Sequence, residues 1–463
     1  MGTVLRGGTV VGGGEYRADV RIDGPAIAAI GQGIAQSGDR IIEVDGCYLL
    51  PGGIDPHTHF DLDIGTTVTA DDFASGTKAA LAGGTTTIID FATQAKGGTL
   101  QAALSAWQAK AAAKCFTDYG FHMAITDFND RIACEMGELV AQGVTSFKLY
   151  MAYKHNLQVD DSVIFRTLRH SHGIGALIGF HCENGDVIDT LVQEAIKAGQ
   201  TSPRYHALTR PAAAEAEAIH RVISLAEMAG APLYIVHLSC AGAVDAVLAA
   251  KARGVRVYAE TCPQYLLLDD ACYEAAGFEA AKYVMSPPLR TKPDQEALWN
   301  SLRTGLLDTV ATDHCSFNFH GQKELGQHDF SKIPNGGPGV EHRLALLYTY
   351  GVLPGRITLQ QLVDYTATNA AKLFGLFPRK GIIAPGSDAD IVVWNPKHSA
   401  TILAASQTQR VDYTPYEGWH QQGQAEYVFL RGCLAAQSGK PCGEPRGEYL
   451  RRNPFPDRRE NDG

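Results

Sequence analysis

Five side chains in this sequence have the types and placement to hold metal. His57 and His59 stand two apart in LLPGGIDPHTHF, just past a predicted strand, and with a period of two both imidazoles leave the same face, where one ion can take both. A lone H-x-H is a weak motif that two ordinary loop histidines explain as well. What raises it is company: His181 closes the apolar run ALIGFH, His237 stands at the end of PLYIVHL, and Asp313 follows TVAT. Any one of these reads equally well as a hydrogen-bonded histidine or a capping aspartate, but five at the ends of similar runs do not. Nitrogen and oxygen donors without thiolate suit zinc, or a similar divalent ion, in an open catalytic site better than in a closed structural one.

Lys148 adds a question. It lies between Phe147 and Leu149 in SFKLYM, where a strand would bury its ammonium at a cost. A salt bridge or a snorkelling side chain would resolve this. So would a pKa lowered far enough for the neutral amine to take up CO2 and become an anionic carbamate that bridges two metals. Composition and spacing do not decide between them.

The elements that must carry these residues alternate regularly. Short apolar runs (YLLPGGID, TTTIIDF, YGFHMAI, SFKLYM, ALIGFH, PLYIVHL, VRVYAE, DTVATD) are separated by amphipathic stretches such as DDFASGTKAALAGG, DDSVIFRTLRHSHG, PAAAEAEAIHRVISLAEMAG and PDQEALWNSLRTG. Several of these open on Asp or Pro and close on Gly, as helix ends prefer. Eight strands alternating with helices over about 270 residues predict a (β/α)8 TIM barrel, with its active site at the carboxy-terminal strand ends. Short strands before residue 50 and beyond 380 predict a smaller, discontinuous β-sandwich domain. The expected organisation is therefore 1–50 and 380–445 for that domain, 51–379 for the catalytic barrel, and 446–463 for a charged, proline-broken tail. The tail is expected to be extended or partly disordered, and within reach of a neighbouring subunit.

These segments resemble the cyclic amidohydrolases, in particular the hydantoinase and dihydropyrimidinase group. The resemblance is carried by PGGIDPHTHF, GGTTTIIDF, SFKLYMAYK, SPRYHALTRP, ETCPQYLLLDD, SPPLR, DTVATDHC, IPNGGPGVEHR and KGIIAPGSDADIVVW, in order from near residue 50 to near 395. It implies a binuclear centre of two divalent ions, zinc first and Mn2+ or Co2+ as alternatives. His57, His59 and Asp313 would hold the more buried ion, His181 and His237 the other, and a carboxylated Lys148 would bridge them. It implies further that Tyr153 assists the substrate carbonyl, and that Ser286 and Asn335 hold the ring amides, largely through main-chain groups. The implied reaction is attack of a metal-bridging hydroxide on a cyclic amide, Asp313 relaying the proton to the departing nitrogen, to give an N-carbamoyl amino acid. A homotetramer is the oligomer the resemblance implies.

Alternatives within and beyond that group are weighed by residues. Dihydroorotase-like enzymes carry an arginine two residues after the second histidine; here that position is Asp61, which disfavours a carboxylated ring and leaves allantoinase as the nearer enzymatic alternative. Metal-free dihydropyrimidinase relatives that act as scaffolds lack parts of the ligand set, whereas all six residues stand here. Leu62, Ile64 and Tyr150, after the first and fourth strands, are expected to wall the pocket for the ring's exocyclic group and to favour aryl or alkyl hydantoins. His122 reads as a core histidine or one supporting the metal ligands, and His314 and Cys315 as residues that face away or pack. Glu215 and Glu217, at i and i+2 of a helix, lie on different faces and form no carboxylate pair.

Composition narrows the remaining classes. The 463 residues carry 40 basic against 50 acidic side chains, a net charge of −10, with no long basic stripe, so nucleic acid is not an expected partner. No signal-peptide pattern opens the chain and no run of about 18 apolar residues occurs, so no membrane is expected and the predicted location is cytoplasmic. Ten cysteines without a C-x-x-C pair suit reduced thiols.

Overall fold

A computed structural model describes residues 2–456. Eight parallel strands follow one another around a barrel: Gly53–Thr58, Thr85–Thr93, Asp118–Ala124, Ser146–Tyr150, Leu177–His181, Leu233–Ile235, Val257–Thr261 and Thr309–Val310. A parallel bridge between Thr58 and His314 brings the last strand back to the first, with the His59 amide donating to the His314 carbonyl at 2.8 Å. The strands are buried on both faces, which is why they read as continuous apolar runs rather than alternating ones.

Local signals place the helices between them. Asp72 caps Phe73–Ala82 in a reciprocal box with Ser75, and Asp160 caps Asp161–Gly173. Gly230 and Gly305 end Ala212–Ala229 and Lys292–Thr304 in the left-handed conformation that glycine adopts without strain.

The chain ends form a second, mostly antiparallel sheet of nine strands, in which Tyr48–Pro51 lies between Thr3–Val11 and Ile391–Thr401. The run YLLPGGID is thus two strands in two sheets. The break falls at Gly52, where a Cβ would come within 2.1 Å of Thr86 Oγ1 as the chain crosses between them. Leu5, Val20, Ile391 and Phe429 make this sheet's own core, while Val11, Leu50 and Trp394 join the core of the barrel.

Residues 449–455 are extended and fastened to the floor of this chain's own barrel. The Leu450 amide donates to the Tyr119 carbonyl, and buried Arg452 donates to Ser146 Oγ at 2.8 Å. The last seven positions of that tail lie outside the described residues. No helix among the described residues is long and apolar enough to cross a membrane.

Candidate metal centre

The ends of the first, fourth, fifth, sixth and eighth strands converge on one point. His57 Nε2 and His59 Nε2 each lie 3.2 Å from Asp313 Oδ1, and His181 Nδ1 lies 3.0 Å from His237 Nε2. Ligand atoms of His57, His237 and Asp313 all lie within 4.8 Å of one another. The structure therefore brings together all five donors singled out in the sequence.

Carboxylates behind the cluster turn its nitrogens inward. Glu260 lies 2.7 Å from His57 Nδ1, and Glu183 lies 2.8 Å from His181 Nε2. With those ring nitrogens donating outward, the lone pairs on His57 Nε2 and His181 Nδ1 face the shared space. This is the arrangement that orients metal-binding imidazoles. Arg210 Nη1, 2.9 Å from Glu183 Oε2, holds that carboxyl below its usual range despite burial. Burial keeps His57, His59 and His237 neutral by pushing their pKa values down, the form in which imidazole binds metal. Inward lone pairs, one ionised carboxylate and no thiolate fit divalent ions of the zinc type.

Lys148 completes the constellation. It is 2 % exposed, which excludes snorkelling, and it makes no ion pair among the described residues. Its Nζ lies 2.9 Å from His57 Nε2, 4.2 Å from the Phe91 ring centre and 4.9 Å from that of Tyr150. Burial lowers its pKa to about 8 against the pull of Asp313 and Glu260. An amine that readily loses its proton thus stands beside the clustered histidines without a paired carboxylate among the described residues.

Backbone strain concentrates here. Tyr153, His237 and Asp313 have φ of 67°, 41° and 51°, a region non-glycine residues enter at a cost of about 1–3 kcal/mol each. For Tyr153 the turn is fixed by its own carbonyl, which accepts from the amides of Asn156, Leu157 and Gln158. The Tyr153 ring is set 5.1 Å from that of His181, and burial raises its pKa, so it stays a hydrogen-bond donor.

A cavity of about 560 Å³ opens over the cluster. Ser286 and Asn335 line it beside Tyr153, and Leu62, Ile64 and Tyr150 form part of its wall. Leu157, Leu325 and Ile333, which the sequence reading did not single out, supply the rest of the apolar wall. The latter two come from the loop between the last barrel strand and the following helix, whose path the sequence does not show. Glu260 and Glu183 were also missed, although Glu260 ends VRVYAE and Glu183 follows His181 by two, both strand-end positions.

Other residues settle into supporting places. Cys315 is buried and packs against Gly336 while lining the cavity; His314 is turned out to Asp71, 3.1 Å distant. His122 sits below the centre, bonded to Ser146 Oγ and the Pro56 carbonyl. Glu215 is buried against Arg290 and Ser239, while Glu217 meets Arg221 at the surface. Asp61 and its neighbours contribute no cation to the centre; its carbonyl accepts from Lys110.

Comparison with known proteins points the same way. The sequence model of the amidohydrolase family matches residues 48–435. A D-hydantoinase of Geobacillus stearothermophilus is 49% identical over 455 residues, covering 98% of this chain and 97% of that protein. A D-phenylhydantoinase of Escherichia coli (strain SE11) is 42% identical over 466, covering 98% of this chain and 99% of the other. The crystal structure of dihydropyrimidinase from Brevibacillus agri NCHU1002 superposes with a TM-score of 0.98 at 49% identity, covering 99% of this chain and all of that one.

Proposed function

The chain belongs to the amidohydrolase family, and from that premise we propose that it is a binuclear-metal hydrolase that opens hydantoins or dihydropyrimidines to N-carbamoyl amino acids. His57, His59 and Asp313 would hold one divalent ion, His181 and His237 the second, and a carbamate on Lys148 would bridge them. Zinc suits this donor set, with Mn2+ or Co2+ as alternatives. When bound, such a pair would supply a hydroxide nucleophile at neutral pH.

The protein's own groups supply the rest. Asp313, ionised and turned to the centre, can take the proton of the attacking oxygen and pass it to the departing ring nitrogen. The Tyr153 hydroxyl can donate to the carbonyl oxygen as charge builds on it. Ser286 and Asn335, which line the cavity, are the proposed grips on the ring amides. The apolar wall favours hydantoins with an aryl or alkyl substituent, and relatives named D-hydantoinase make the D-enantiomer the first to assay. A cytoplasmic homotetramer is the setting we propose.

The observation that carries this reading is the buried Lys148 amine among the converging lone pairs of His57 and its neighbours. Metal analysis of the purified protein, with a screen of dihydrouracil, hydantoin, phenylhydantoin and allantoin, tests it. About two metal ions per chain and fastest turnover of phenylhydantoin are expected. Near-zero metal would point to a scaffold, and preference for allantoin to the other ureide hydrolase.

A further inference from the structure

Lys323 is fully buried and belongs to no part of the metal centre. It opens the short helical turn Lys323–Gly326, which packs against Ile333 so closely that a Cβ on Gly326 would meet the Ile333 side chain at 2.2 Å. Among the described residues no carboxylate pairs with it. Its Nζ instead lies 2.7 Å from the Pro334 carbonyl, 2.7 Å from that of Gly336 and 2.8 Å from that of Val284. Burial lowers its pKa to about 7, but unlike Lys148 it has three carbonyls that accept all three N–H donors of the protonated form and so favour the ammonium.

Burying that charge costs far more than burying an apolar side chain of the same length, so packing alone does not account for a lysine here. The three carbonyls come from two separate segments. Val284 stands two residues before Ser286, while Pro334 and Gly336 flank Asn335. Ser286 and Asn335 both line the cavity. The Gly336 amide also donates to the Val284 carbonyl at 3.0 Å, and the Cys315 amide to the Gly337 carbonyl at 3.1 Å. With φ of +133°, Gly336 brings the Asn335 segment so near Cys315 that a Cβ would lie 2.4 Å from the Cys315 carbonyl oxygen. That segment thus rests on the one that carries Asp313, and the Lys323 ammonium fixes its distance from the Ser286 segment.

We propose that Lys323 is a positioning residue for substrate binding: its ammonium ties the Ser286 segment to the Asn335 segment and sets the gap in which the ring is gripped. This rests on the proposed reading that those two segments hold the ring amides. Lys323→Met keeps the length and removes the charge and all three donors; Lys323→Gln keeps two N–H donors on a shorter arm.

The test uses the metal-loaded enzyme and reads metal content, steady-state kinetics with hydantoin and phenylhydantoin, and backbone hydrogen exchange across 333–337. In Lys323→Met we expect wild-type metal content, faster exchange at the Gly336 amide, and KM raised on the order of tenfold with a much smaller change in kcat. Lys323→Gln should show the same changes to a lesser degree, and it replaces the Met variant if that one does not fold. Unchanged exchange would overturn the clamp itself. Faster exchange with unchanged KM would overturn the positioning role by showing that the ring is held elsewhere, a failure of the substrate reading. Loss of metal or of kcat at unchanged KM would reduce Lys323 to a general structural part.

Discussion

The Glu260 carboxylate lies 2.7 Å from His57 Nδ1, and this bond leaves His57 Nε2 as the nitrogen that faces Asp313 and Lys148. The same carboxylate accepts from the Tyr234 hydroxyl at 2.7 Å and from the His237 amide at 3.2 Å. It therefore orients one imidazole directly and the backbone of another. Glu260→Ala should weaken metal retention by about 10–100-fold, the usual effect of losing such an outer partner, and Glu260→Gln should cost less because it keeps an acceptor. Metal content after dialysis against graded chelator measures this; retention equal to wild type in the Ala variant would contradict it.

Lys148 should behave as a metal ligand and not as a cation. Lys148→Ala is expected to lose metal together with activity, and a small carboxylate in the buffer should restore part of both by occupying the bridge. The wild-type protein, weighed under native conditions, should carry the additional mass of one CO2. An active, two-metal enzyme with an unmodified amine would end the proposal.

Tyr153 is held by its strained turn with a protonated hydroxyl, so its contribution should appear when charge develops on the substrate. Tyr153→Phe is expected to lower kcat by about 10²–10³ with little change in KM. A change confined to KM would make it a ground-state contact.

How much of this was legible follows from the physics of each residue. That His57, His59, His181, His237 and Asp313 meet could be read because a barrel brings its strand ends to one rim, and apolar runs reveal where the strands end. The positive φ angles of Tyr153, His237 and Asp313 were not legible, since tertiary contacts impose them on residues that ordinarily avoid that region. The split of YLLPGGID was hidden for a related reason: Tyr48–Pro51 and Gly53–Thr58 follow each other with Gly52 alone between them, and it is their partner strands that separate them. Lys323 was invisible because its acceptors are main-chain carbonyls, which every sequence supplies.

Two buried histidines away from the centre give the protein a pH signature. Burial, aided by Arg210, lowers His206 to about 3, and burial lowers His342 to about 4. Unfolded, both would titrate near 6.5. Between those values the unfolded chain binds protons that the folded one refuses, so stability falls as pH drops from about 6.5 to about 4. Each group contributes up to about 1.4 kcal/mol per pH unit. His206 Nε2 donates to the Met285 carbonyl at 2.9 Å, a bond glutamine can replace. Denaturant midpoints at about pH 5 and pH 7 should therefore differ less in His206→Gln than in wild type. Equal differences would show that His206 does not carry the proton linkage.

Substrate preference should be set at the mouth of the cavity rather than beside the metals. Tyr150 is 7 % exposed, with its ring 4.9 Å from Lys148 Nζ and 5.8 Å from the His181 ring. Removing it disturbs the centre itself, so Tyr150→Ala should depress hydantoin and phenylhydantoin alike. Leu157 lines the same cavity from the turn that follows Tyr153, half-buried, and none of its close hydrogen-bonded neighbours is a metal ligand. If the substituent rests on the wall it shares with Leu62 and Ile333, Leu157→Ala should lower kcat/KM for phenylhydantoin relative to hydantoin by about 1–3 kcal/mol of lost apolar contact. The effect on unsubstituted hydantoin should be small, because that ring does not reach the wall. A matched loss on both substrates in Leu157→Ala, or a selective one in Tyr150→Ala, would move the substituent pocket inward from the mouth.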